Sequence, residues 1–259
     1  MDRGYDPLAL AEAVRRVVVK VVDSRELRKY YRFRGGRWYG GIATADCVGC
    51  NLCCKFCWSW RANTCIHKVG RFYSGEEVAR TILSIARRRG YRQVRVSGGE
   101  PTLSMNNLLE ILETLEREAF GVLFILETNG ILLGARKELA CKLSRFKNVH
   151  VRVSLKGTNE EEFHKLTGAV PNAFELQLRA LKNLLDCGVE THPAVMLSFS
   201  TRKNFEKLLV RLREIDPILV AEIEEEYVFL YPHVVKRLKS FKLRPLIAYE
   251  PDNIPEELI

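Results

Sequence analysis

Five of the eight cysteines in this 259-residue chain fall within eleven residues, Cys47-Val48-Gly49-Cys50-Asn51-Leu52-Cys53-Cys54-Lys55-Phe56-Cys57. Thiolates oxidise and capture metals, so this density calls for soft-metal, iron–sulfur or disulfide chemistry, and the fold must present the segment as one loop. Two iron–sulfur registers can be read in it. Cys50, Cys54 and Cys57 form C-x3-C-x2-C, which supplies three ligands and leaves one iron open. Cys47, Cys50, Cys53 and Cys57 form C-x2-C-x2-C-x3-C, the ferredoxin run with Trp58 where proline is usual, which supplies four ligands and closes the cluster.

The length suits a single large α/β barrel, and 47% apolar residues supply its core. No apolar run reaches 18 residues, which argues against a membrane span. Met1-Asp2-Arg3-Gly4 is not followed by the apolar region of a signal peptide, so a cytoplasmic location is expected. Clustered cysteines there bind metal more often than they form disulfides. Gln93 and Gln177 are the only glutamines and 28% of residues are charged, a balance compatible with a thermophilic source. The net charge of +9 fits nucleic acid, an acidic protein, an anionic cofactor or a solvated basic surface.

Taken in order, residues 7–22 read as a helix with Leu10, Val14, Val17 and Val21 on one face. Residues 25–39 interleave six basic with five aromatic side chains, as single-stranded nucleic-acid binders do; a basic connector packed outside the barrel is the competing reading. A strand over Gly40–Ala45 leads into the cysteine loop. Ser74 and Glu77 have capping-box spacing ahead of a helix that Gly90 ends. Strand and helix then alternate. Val94–Val96 runs into Ser97-Gly98-Gly99-Glu100-Pro101, and a helix capped by Ser104 follows. The strand Val122–Leu126 leads to Glu127-Thr128-Asn129-Gly130, then comes a helix near Ala135–Phe146. The strand Val149–Leu155 leads to Lys156, a helix opens at Pro171, and Val189–Leu197 is again a strand. Phe205–Leu212 is expected as a helix, Ile218–Ile223 as the last barrel strand and Val234–Leu238 as helical. About six strand–helix units predict a parallel sheet closed into a partial (β/α)6 TIM-type barrel. An N-terminal helix and connector occupies 1–39, the barrel 40–225, and a helix and tail packed on it 226–259. Such sheets carry their chemistry at the carboxyl ends of strands, where the cysteine loop, Gly98-Gly99-Glu100, Thr128-Asn129 and Ser154-Lys156 all fall.

On these residues the chain resembles the radical S-adenosylmethionine (SAM) superfamily. Cys50-x3-Cys54-x2-Cys57 matches that family's signature, Phe56 its aromatic residue before the third cysteine, and Gly98-Gly99-Glu100-Pro101 its segment after the second strand. The resemblance implies a [4Fe–4S] cluster held by Cys50, Cys54 and Cys57, with SAM on the open iron. Reductive cleavage of SAM would give a 5′-deoxyadenosyl radical that takes hydrogen from a substrate. It further implies that Gly98 and Gly99 let the backbone approach the methionyl group and that Glu100 accepts from its ammonium. Phe56 would stack on adenine, while Thr128, Asn129, Ser154 and Lys156 would make polar contacts to the cofactor. A narrower similarity, through Glu127-Thr128-Asn129-Gly130, Ser154-Leu155-Lys156 and His164-Lys165-Leu166-Thr167-Gly168, is to glycyl-radical-enzyme activases; Cys57-Trp58 with Arg61 resembles wyosine-type tRNA synthases. These imply a macromolecular substrate, protein ahead of RNA, and a six-unit barrel without a lid leaves a wide lateral gap for it to close. They also imply an electron donor such as ferredoxin or flavodoxin.

The alternatives are a tRNA- or RNA-modifying enzyme of the same chemistry and, from another class, a non-catalytic iron–sulfur electron-transfer protein using the four-cysteine register. Cys65 and His67 have C-x-H spacing but read as packing and surface residues ahead of metal ligands. Cys141 and Cys187, on predicted helices, read as core. His192 is expected in a strand, facing substrate or serving structure. Glu222, Glu224 and Glu226 alternate and so share one face of the last strand, as a cation site or as a polar barrel exit.

Overall fold

A computed structural model describes residues 4–119 and 121–258; Met1-Asp2-Arg3, where the leader was sought, lie outside the described residues. The strands are β1 (Val19–Val22), β2 (Arg25–Gly36), β3 (Ile42–Cys47), β4 (Arg71–Tyr73), β5 (Gln93–Gly98), β6 (Leu123–Thr128), β7 (Val149–Leu155), β8 (Glu190–Met196), β9 (Glu224–Glu226), β10 (Val228–Phe229) and β11 (Ala248–Tyr249). The helices are α1 (Pro7–Val18), α2 (Trp60–Thr64), α3 (Gly75–Arg89), α4 (Met105–Glu118), α5 (Ile131–Ala135), α6 (Lys137–Cys141), α7 (Glu160–Thr167), α8 (Phe174–Asp186), α9 (Arg202–Ile215), α10 (Ile218–Ala221) and α11 (Pro232–Ser240).

Six strands, β3-β5-β6-β7-β8-β9, pair in parallel in that order, the partial (β/α)6 barrel expected. Side chains alternate along a strand. Val149, Val151, Val153 and Leu155 of β7 are buried in the apolar core, while Arg152 and Ser154 between them face the polar lumen. The helix boundaries follow local chemistry. Ser74 and Glu77 form the reciprocal capping box, and Gly90 ends α3 in the left-handed region at φ 69°. Ser104 precedes α4 but does not cap it; its hydroxyl bonds Glu26 at 2.6 Å instead.

The departures from expectation have physical causes. The valines of 19–22 leave the first helix for a strand, because β-branched side chains lose rotamer freedom in a helix. The basic, aromatic stretch is neither connector nor free surface. It is β2, antiparallel to β3, with β1 and β4 also paired to it. Arg28 is 1% exposed, and Arg32 and Arg34 pair with the buried Asp46 at 2.6 and 2.9 Å. Ile218–Ala221 is a helical turn, with the Ile218 amide bonded to the Asp216 carboxylate, and the last barrel strand is the acidic β9. A short apolar run does not distinguish strand from helix by periodicity. The helix expected near 135–146 is two short pieces, α5 and α6. Cys141, at the end of α6, and Cys187, at the end of α8, are joined in a disulfide rather than packed as separate thiols. Among the described residues, no helix is long and apolar enough to cross a membrane.

The barrel's two edges meet through side chains. Tyr39, just past β2, places its hydroxyl 3.2 Å from Glu224 on β9, and Trp38 stacks on Phe229 at 5.6 Å. The wide lateral gap expected from six units is therefore bridged. Tyr39 adopts φ 55°, a left-handed conformation that costs a non-glycine residue energy.

Candidate active site

The cysteine loop leaves β3 at Cys47 and ends at α2. Its backbone is tied down on three sides. The Gly99 amide donates to the Cys47 carbonyl at 2.9 Å and the Glu100 amide to that of Gly49 at 2.8 Å. The Lys55 amide donates to the Leu166 carbonyl at 2.9 Å, at the end of α7, and the Cys53 amide donates to the Tyr5 hydroxyl at 2.8 Å. Beneath the loop the Arg28 guanidinium donates to the carbonyls of Gly49 and Glu100 at 3.4 and 3.3 Å. A Cβ at Gly99 would stand 2.2 Å from the Gly49 carbonyl oxygen. The glycine pair thus lets the turn after β5 lie directly on the cysteine loop.

Cys50 has Cys54 and Cys57 as charged neighbours, and Cys54 has Cys57 and Cys53. Burial pushes the Cys54 thiol up to about 12, Lys156 opposing, and holds Cys50 well above the usual thiol range, with Glu100 adding to the effect. Amide N–H groups point at the sulfurs: Leu52 N and Asn129 Nδ2 at 3.4 and 3.6 Å from Cys50, and Asn63 Nδ2 at 3.5 Å from Cys57. Cys47 is fully buried, with Arg28 and Glu100 as its charged neighbours. Cys53 is half-buried beside Tyr5.

This set fits a cluster open at one iron. Three thiols share one loop, amide donors face two of them, and Asn51 Nδ2 and Asn63 Oδ1 are buried beside them without partners. Buried polar atoms of that kind normally find one. Among the described residues, no three Cys, His, Asp or Glu side chains converge tightly enough to hold a single ion. Cys65 and His67 are exposed.

The remaining expected residues fall on the same rim, in different employments. Glu100 is 1% exposed, and its carboxylate accepts from Thr102 N, Thr102 Oγ1, Thr128 Oγ1 and Asn129 N at 2.6–3.1 Å. Thr128 and Asn129 are thereby locked to it, and Asn129 also reaches Asn51 at 2.7 Å. Gly98 takes φ 94°. Phe56 tilts against Phe199 at 5.8 Å and forms part of the cavity wall. Ser154 donates to Glu226 at 3.3 Å, and Lys156 lies 3.5 Å from Glu226. Burial would depress Lys156, but Glu226 and the thiols of Cys54 and Cys50 outweigh it and hold its pKa up.

A cavity of about 1170 Å³ opens from this rim into the lumen. Its walls carry Arg95, Glu127, Arg152, Glu224 and Glu226 below and Arg32, Arg34, Trp58, Trp60 and Arg237 around the mouth. Arg95 pairs with Glu127 at 2.6 Å and Arg152 with Glu224 at 2.6 Å. Burial works against both carboxylates, yet Arg95 beside Glu127 and Arg152 beside Glu224 hold them below the usual range. Glu224 and Glu226 face inward; Glu222 is exposed. His192 does not line the cavity; it braces Glu224 at 3.0 Å and contacts His150 at 2.6 Å. Sequence reasoning missed Asn51, Asn63, Arg95, Arg152 and Arg237. The available signal was a charged residue at alternate positions of otherwise apolar strands, Arg95 and Arg152 above all.

The family model described as the Radical SAM superfamily matches residues 46–212. A probable GTP 3′,8-cyclase of Methanosarcina mazei is 31% identical over 159 residues, covering 60% of this chain and 44% of that protein. One of Methanococcus maripaludis is 34% identical, covering 57% and 50%. The chain spans about half the length of these curated relatives. Among solved structures, anSMEcpe with bound AdoMet superimposes with TM-score 0.51 at 23% identity, over 75% of this chain and 55% of that one. Streptococcus suis SuiB bound to S-adenosylmethionine gives 0.54 at 16%, over 81% and 45%. These two likenesses concern the fold. The relatives are named neither as activases nor as wyosine synthases.

Proposed function

The chain belongs to the radical SAM superfamily, whose cofactors are a [4Fe–4S] cluster and SAM, and from this we propose that it takes hydrogen from a small anionic substrate of the nucleotide class, held in the lumen. When bound and reduced, the cluster supplies the electron that cleaves SAM to a 5′-deoxyadenosyl radical. Cys50, Cys54 and Cys57 hold the cluster. Cys47, committed to the core, and Cys53, turned toward Tyr5, stay outside the ligand set, which disfavours the closed four-cysteine carrier. Gly98 and Gly99 seat the loop on the strand end. Glu100 fixes Thr128 and Asn129, leaving the Asn129 amide directed at Cys50. Lys156 presents a cation to the cavity and Phe56 presents its ring, while the Ser154 hydroxyl is held by Arg152 and Glu226.

The observation that carries the substrate reading is the cavity itself. Its lateral gap is bridged by Tyr39 and Trp38, its wall sets Arg61, Lys68 and Lys236 with Trp58 and Trp60, and a bounded volume of that lining suits an aromatic anion. The relatives, named probable GTP 3′,8-cyclases, support the same class. Neither a protein substrate nor an RNA draws support from β2, whose Arg28, Arg32 and Arg34 are spent internally.

The test uses anaerobically reconstituted protein, SAM and a reductant, with extract from cells grown in deuterated medium separated by size. Deuterium should enter 5′-deoxyadenosine with the low-mass fraction, and GTP added alone should stimulate the product. Transfer confined to the macromolecular fraction would overturn the substrate class. Cys54→Ala should lose the cluster and Cys53→Ala keep it; the reverse would restore the four-cysteine register.

A further inference from the structure

The helix α11 meets the cysteine loop through Arg237, and the stretch that carries it is basic. From Pro232 to Tyr249 the chain carries Lys236, Arg237, Lys239, Lys242 and Arg244 and no Asp or Glu. Arg237 is used inward: it donates to the Cys54 carbonyl at 3.1 Å and stacks on Trp60 at 3.3 Å. Lys239, Lys242 and Arg244 are exposed and make no ion pair with described residues. Among them Phe241, Leu246 and Ile247 are 44%, 65% and 46% exposed. The Phe241 ring lies 5.7 Å from the Lys55 ammonium, on the cysteine loop, and 5.4 Å from Arg237. The patch is therefore continuous with the loop. Lys239, Phe241, Lys242 and Arg244 take no part in the cavity wall, so a partner seated on them leaves the mouth free.

We infer that this face docks an acidic one-electron carrier protein that reduces the cluster. The inference rests on the cluster assignment above. Exposed apolar side chains carried on one short stretch with unpaired cations are what an interface with an acidic partner uses. Its position answers what the chemistry needs, since Phe241 touches Arg237, and Arg237 touches both Trp60 and the backbone of Cys54. The transfer balances simply: the carrier is oxidised by one electron, the cluster is reduced by one, and no bond or proton moves. Nucleic acid fits less well, because phosphates would leave the exposed Phe241, Leu246 and Ile247 uncovered.

The probe is a purified, strongly acidic [2Fe–2S] ferredoxin, with the full reconstituted chain. Binding of the oxidised probe should weaken steeply with salt. The triple variant Lys239→Glu/Lys242→Glu/Arg244→Glu should bind it about tenfold more weakly at low salt. Product formation driven by photoreduced ferredoxin should slow in that variant, and formation driven by dithionite should not. Phe241→Ala should weaken binding without changing the salt slope. Wild-type affinity in the triple variant overturns the proposal. So does a single-stranded RNA that binds more tightly than ferredoxin and loses that binding in the same variant. A wild-type chain that assembles no cluster yet binds ferredoxin through these residues refutes the cluster assignment and leaves the docking face standing.

Discussion

Replacing Gly99 by alanine separates two jobs that a glycine in this turn can do. If it only clears room for the methionyl group, one methyl group weakens SAM binding and leaves the folded protein alone. The geometry argues otherwise. The new Cβ would sit 2.2 Å from the Gly49 oxygen and 2.9 Å from its carbonyl carbon, both backbone atoms of the cysteine loop. Real Cβ contacts stay beyond 3.0 Å, so the loop must move by at least the difference. Overpacking of this kind costs about 1–3 kcal/mol. The displacement also strains the Gly99–Cys47 and Glu100–Gly49 backbone bonds, each worth about 1 kcal/mol. A loss of about 3 kcal/mol is expected, or about 6–12 °C in melting temperature for a chain of this size. The assay is thermal and urea unfolding of the metal-free protein, followed by iron and sulfide counts after reconstitution. Stability and iron content should fall together, with weaker SAM binding as a consequence. A variant of wild-type stability and full iron content that has lost SAM affinity would refute the packing argument.

Three further outcomes are expected. Reducing the Cys141–Cys187 disulfide, which spans 46 residues, should cost about 4 kcal/mol by loop-closure entropy, read as the urea midpoint with and without reductant; an unmoved midpoint in fully reduced protein would count against it. Glu100→Ala strips four buried donors of their acceptor and should cost more than about 3 kcal/mol, with Glu100→Gln milder, as urea denaturation would show. Glu127 and Glu224 are held below the usual carboxylate range, so their contribution is complete above the unfolded value of about 4.3 and is lost as pH falls through the lower folded value. Acid unfolding of Glu127→Gln should therefore depend less steeply on pH below that point, and an identical profile would argue against the Arg95–Glu127 pair.

Much of this protein was legible without coordinates because its signals are local. Cys50, Cys54 and Cys57 lie within one loop, the Ser74 capping box closes within one helical turn, and the alternation of Val94–Val96 and of Val149–Leu155 is a property of neighbouring residues. Those features imply six parallel strands with a cysteine loop and a glycine turn at their carboxyl ends. Tertiary structure decided everything that depends on which side chains meet across the chain. Arg28, Arg32 and Arg34 look available to phosphates in sequence and are consumed by carbonyls and by Asp46, because β2 pairs with β3. Glu100 has no partner visible in sequence and accepts four hydrogen bonds in the fold, because the end of β6 brings Thr128 and Asn129 to it. Cys141 and Cys187, 46 residues apart, meet only because α6 and α8 pack together. Strand edges drawn together by Tyr39 and Glu224 turn an open trough into a bounded cavity. A residue's type sets what it can bond, and the fold sets whether a partner inside the chain has already taken that capacity.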